Sequence, residues 1–134
     1  MMQPPTTPAA WKEAMRPYRE KFWNESIGRV EVPPAPRHPR SRQILDRPTW
    51  TGYEVTLDVL PDVFAWGYLL LPKDLKPGEK RPVVVVQHGL EGLPESVITE
   101  DTTNRAYAAY KAFGARLVER GFIVFAPHNP YRGE

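Results

Sequence analysis

The chain has 134 residues, enough for one domain with a core of its own. Its 18 basic and 16 acidic residues leave a net charge of +2, too small a bias to argue for nucleic acid or a membrane surface as main partner. The absence of cysteine excludes disulfides, thiol catalysis and cysteine-ligated metals.

Residues 1–50 differ from the rest and read as a Pro-rich extension with a helical segment. They hold nine of the 16 prolines. Between the proline-rich pieces, "AWKEAMRPYREKFWNESIG" predicts a short helix that stops at Gly28, begun or interrupted by Pro17, which lacks the N–H of an interior position. Trp11, Met15, Tyr18, Phe22 and Trp23 recur at helical spacing and suggest an aromatic face packed onto a body elsewhere. Residues 31–50 read as an extended crossing segment. Arg37, His38, Arg40, Arg42 and Arg47 could form an anion patch there, but without interleaved aromatics a solvated crossing is the better reading. No apolar run in the first thirty residues has the length of a signal peptide, and none later approaches a membrane span. No address is visible, which leaves a cytoplasmic location as the default expectation.

From Tyr53 the pattern turns to strands, so residues 51–134 are expected to hold an α/β domain. In "GYEVTLDVL", Tyr53, Val55, Leu57 and Val59 alternate with polar residues, as in a strand with one wet face. Pro61-Asp62 signals a turn into "VFAWGYLLLP", giving an antiparallel hairpin, and "KDLKPGEKRP" is a charged connection. Trp50, Trp66 and Tyr68 are read as core or hairpin packing. "VVVVQ" has no polar alternation, which suits a strand covered on both faces. "NRAYAAYKAFGARLVERG" predicts one crossover helix with Ala106, Tyr110, Phe113 and Leu117 as its apolar stripe. Asp101, Thr102 or Thr103 would cap it, and Gly121 would end it. "FIVFAP" is a further buried strand. The order predicts an α/β fold with a mixed sheet and parallel strands joined by the helix.

The connection after the valines, His88 to Asp101, is longer than the usual two to six residues and leaves the end of a buried strand, where open α/β sheets place ligands. Gly89 and Gly92 would let its backbone bend and approach a ligand closely, aiming a peptide N–H at developing negative charge, a donor worth roughly 3 kcal/mol of barrier. The bland alternative is that His88-Gly89 merely turns the chain. With the valine strand, second glycine and long loop all agreeing, the oxyanion reading is preferred.

The order of hairpin, "VVVVQHGLEG", helix and "GFIVFAPHNPYRGE" resembles the N-terminal half of an α/β-hydrolase. More narrowly, it is similar to the dienelactone hydrolase and acetyl xylan esterase-like branch. The resemblance implies a serine hydrolase acting on small carboxylic esters. His88 would brace the oxyanion loop, Gly89 would shape it, and the Leu90 N–H would be the donor. Glu91, Gly92, His128, Asn129, Tyr131 and Arg132 are candidate pocket residues. It also implies that strands of this chain would stand in the order 1-2-4-3, next to a fifth that is missing. The exposed edge at Val83–Val86 would then invite self-association.

The nucleophile of such an enzyme sits in a Gly-x-Ser-x-Gly elbow. Ser26, Ser41 and Ser96 are the only serines, and none has that setting. Ser96 suits a loop or pocket rim. The chain therefore reads as an incomplete hydrolase domain, inactive by itself, whose serine, acid and histidine lie outside it. A peptidase-type hydrolase and a non-catalytic truncated or binding protein are the alternatives. The proposed chemistry calls for no cofactor and no metal: His88, Glu91, Glu95 and His128 do not follow a recognised ligand spacing. The expected partner is a small-molecule ester substrate, with no nucleic acid and no membrane.

Overall fold

The computed structural model describes residues 6–29 and 31–129. The chain divides into two compact units between Pro33 and Pro34.

In the first unit, helix α1 spans Pro8–Lys21. Thr7 caps it, its Oγ1 accepting the Ala10 N–H at 3.2 Å, and Pro8 occupies a first-turn position where no donor is missed. Pro17 lies inside α1 and neither begins nor breaks it. Its ring fixes φ near the helical value, so what the helix loses there is one backbone hydrogen bond. A π-helical turn, Phe22–Ile27, follows and ends at Gly28, whose positive φ of +84° is a backbone conformation that glycine supplies. No residue of α1 is buried, and Trp11, Tyr18, Phe22 and Trp23 keep about half or more of their surface exposed.

The second unit is a five-stranded sheet. Its strands are β1 (Arg40–Asp46), β2 (Trp50–Leu60), β3 (Val63–Pro72), β4 (Val83–Val85) and β5 (Ile123–Pro127), in the spatial order β1-β2-β3-β5-β4. Only β4 and β5 are parallel. The expected hairpin is β2–β3, with Tyr53 opposite Leu69 and Glu54 opposite Tyr68. Strand β1 corrects the view of residues 31–50 as a mere crossing. Arg40 stands opposite Thr56 and Arg42 opposite Glu54. Arg40 ion-pairs with Asp58 at 2.6 Å, Arg42 pairs with Glu54, and His38 Nδ1 lies 3.0 Å from Asp58. The basic cluster is thus largely the cross-strand complement of the acidic face of β2.

Cross-strand register sorts the sheet into two faces. Gly52, Leu70, Val124 and Val84 align on one, together with Trp50, Ala126 and Val86. This face carries the core and is covered by the 3₁₀ turn Pro94–Val97 and helix α3 (Phe113–Glu119). Tyr53, Leu69, Phe125 and Val85 align on the opposite face, where Val83 and Val85 remain 60% and 63% exposed. The expectation that the valine strand is covered on both faces is therefore corrected. Both of its covering elements lie on one side, and it stands at the edge of the sheet.

The crossover is two helices rather than one. Helix α2 (Arg105–Tyr110) stops where Lys111 and Ala112 both take left-handed conformations, φ 53° each, before α3 begins. The break redirects the helix so that Ala112, Ala115 and Val118 enter the core, while Ala106, Tyr110, Phe113 and Leu117 are only partly buried. Asn104 is the cap, accepting the Ala106 N–H at 2.8 Å. Asp101 instead accepts from the Thr103 hydroxyl and N–H, which hold its carboxyl below the usual range. Gly121 ends α3 as expected: its N–H bonds the Val118 carbonyl and that of Phe122 bonds Leu117, a Schellman motif with φ +87° at the glycine.

Candidate functional site

Strands β4 and β5 are parallel, so their C-terminal ends share one rim of the sheet. The Val86 N–H still bonds the Phe125 carbonyl at 2.8 Å, after which the chain leaves β4. Gln87 Nε2 donates to Asn129 Oδ1 at 2.7 Å, and the His128 N–H donates to the Trp66 carbonyl at 2.8 Å. The residues after β4 and those after β5 are thus tied together at the strand end where α/β sheets bind ligands.

His88 turns inward and is 3% exposed. Its Nδ1 lies 2.9 Å from the Gly89 carbonyl, to which it donates, leaving Nε2 buried and without a partner among the described residues. The His88 ring lies 6.4 Å from that of His128, which packs edge-on against Trp66 at 4.9 Å. Trp66 Nε1 donates to Glu54 Oε1 at 2.8 Å, and that bond, with the Arg42 contact, holds the Glu54 carboxyl below its ordinary value near 4.5. Burial raises the Tyr68 phenol, with Glu95 and Glu54 adding to the shift.

After His88 the backbone makes a four-residue turn, closed by the Gly92 N–H on the Gly89 carbonyl at 3.1 Å. Glu91, not a glycine, takes the left-handed position at φ 63°. The two glycines are required for proximity instead. A Cβ on Gly92 would stand 2.7 Å from His88 Cβ, and one on Gly89 would stand 3.2 Å from the Tyr110 hydroxyl. Gly92 thus makes room for the His88 side chain. Leu90, the second residue of the turn, is 81% exposed, and among the described residues its N–H makes no hydrogen bond. The neighbouring Gly89 N–H is occupied, donating to Tyr110 Oη at 2.8 Å.

Leu90, Glu91 and Gly92 line a cavity of about 290 Å³ with Ser96, Arg105, Ala106 and Tyr110. His128 and Asn129, placed in the same pocket from sequence, stand at the same strand end but do not line this cavity. Tyr131 and Arg132 lie outside the described residues. Ser96 sits in the 3₁₀ turn, where its Oγ accepts the Leu93 N–H at 3.0 Å. Ser41 is on β1 and Ser26 in the π-helical turn. Among the described residues no group of three His, Asp or Glu side chains is placed to hold a metal ion. A larger cavity, about 670 Å³, lies between Pro48, Pro72 and Arg120–Gly121, at the N-terminal end of β5 and away from the loop. Tyr110 is the contact that sequence reasoning missed: its helical spacing assigned it to an apolar stripe, and nothing local signals a hydroxyl reaching back to residue 89.

The fold is similar to that of a solved Bacteroides fragilis protein provisionally named as an acetyl xylan esterase, with a TM-score of 0.65 and 19% identity. The match covers 94% of this chain and 31% of the other, so the chain spans about a third of that protein's length. No family model matches the sequence, and no curated protein does. At this identity the likeness speaks for the fold alone: a mixed α/β arrangement with a mostly antiparallel five-stranded sheet.

Proposed function

We propose that the chain is the N-terminal part of an α/β-hydrolase that acts as a serine esterase on small acyl esters, and that it contributes the oxyanion loop. The observation that carries this is the exposed turn at the C-terminal end of β4, where among the described residues the Leu90 N–H has no hydrogen-bond partner, next to a buried His88 that bonds the Gly89 carbonyl. When a serine attacks the ester carbonyl, the oxygen gains negative charge. A fixed peptide N–H at that point stabilises the transition state without having to reorganise. The serine, its histidine and the acid would come from outside these 134 residues. His128 and Asn129 would form wall rather than catalyst.

The test is fluorophosphonate labelling and ester hydrolysis by the natural protein beside the 134-residue chain. Labelling is expected only of a longer natural product, and labelling of neither would favour a non-catalytic role. In the active protein Leu90→Pro deletes the donor, and kcat is expected to fall about 100-fold or more.

A further inference from the structure

From the contact between α2 and the loop we infer that Tyr110 is a positioning residue for this oxyanion site, a role that rests on the esterase function proposed above. Its phenol oxygen accepts the Gly89 N–H at 2.8 Å, across 21 residues of sequence. The two peptides that flank Gly89 are thereby held separately: the His88–Gly89 peptide by Tyr110 through its N–H, and the Gly89–Leu90 peptide, which carries the Leu90 N–H, by His88 Nδ1 on its carbonyl. With both groups of Gly89 engaged, the next N–H, that of Leu90, is without a partner among the described residues, and Leu90 and Tyr110 line the same cavity.

Two further features fit the role. Immediately after Tyr110 the helix breaks through two consecutive left-handed residues, Lys111 and Ala112, neither of them glycine. Each takes a conformation that L-residues disfavour, because Cβ crowds the following carbonyl oxygen. This strained joint separates the segment that reaches the loop from the segment that packs the core, where Gly114 sits against Val97 and Ile98. A Cβ at Gly89 would stand 3.2 Å from the hydroxyl, a tight contact that glycine avoids.

Tyr110→Phe in the active natural protein keeps the ring and removes the acceptor. Gly89→Ala attacks the same contact from the other side, so the test does not depend on one variant folding. Each is expected to lower kcat about tenfold with KM within twofold, because only the transition state uses the loop's alignment. In parallel, the Gly89 amide of Tyr110→Phe is expected to exchange with deuterium at least tenfold faster while the melting temperature stays within a few degrees. Unchanged kcat and unchanged Gly89 exchange in Tyr110→Phe would overturn the role and leave Tyr110 as packing. Should the natural protein lack esterase activity, the esterase assignment fails. Gly89 exchange would then still decide whether Tyr110 holds the loop.

Discussion

The α-carbon of Gly92 lies directly against the side chain of His88: a methyl group there would meet His88 Cβ at 2.7 Å and Nδ1 at 3.0 Å. Because His88 is buried, it cannot yield by swinging into solvent. Gly92→Ala is expected to destabilise the second unit by about 1–3 kcal/mol in denaturant titration, the usual scale of overpacking. Adding His88→Gly, which removes Cβ as well as the ring, should recover part of that loss, giving a coupling of about 1 kcal/mol. Strict additivity of the two changes would show that the contact carries no strain.

Gly121 supplies the left-handed residue that ends α3. Gly121→Ala is expected to cost about 1 kcal/mol, since alanine must take a φ it disfavours while the capping bonds to Leu117 and Val118 are kept. A thermal melt unchanged within error would contradict this account of the turn.

Glu54 ties β2 to both β1 and β3 through Arg42 and Trp66. Its carboxyl is depressed below 4.5, so in the folded state it holds its charge at pH values where the unfolded chain is protonated. Stability from this group is therefore present above pH 4.5 and is lost as pH falls through the lower folded value. Being partly solvated, it is worth at most about 1 kcal/mol. Glu54→Gln should lower stability at neutral pH and flatten the decline between about pH 5 and 3. An identical pH profile in the variant would remove Glu54 from acid sensitivity.

Strand β4 bonds β5 through the Pro82 carbonyl and the Val86 N–H, so the peptide groups of Val83 and Val85 face off the sheet edge. Their side chains are exposed as well. The 134-residue chain alone is expected to self-associate at micromolar concentration, and Val83→Lys with Val85→Lys to shift it towards monomer in sedimentation. A wild-type chain that runs as a monomer at those concentrations would mean this edge is protected.

Period-two alternation, turn residues and apolar runs made the hairpin, β4 and β5 legible from sequence, because each depends on neighbours within a few positions. The same local logic placed the loop at a strand end and found Gly121. It missed β1, whose Arg40 and Arg42 look like a solvated basic segment until Glu54 and Asp58 stand opposite. It also misjudged the glycines of the turn, since close approach to His88 and Tyr110 cannot be read along the chain. Likewise, the helix break at Lys111-Ala112 has no glycine or proline to announce it. The sequence by itself determined the β2–β3 hairpin, the strands β4 and β5, and the long loop that follows the valines. Only the tertiary structure decided which loop N–H is left without a partner among the described residues, because that depends on which donors distant residues such as Tyr110 have already taken.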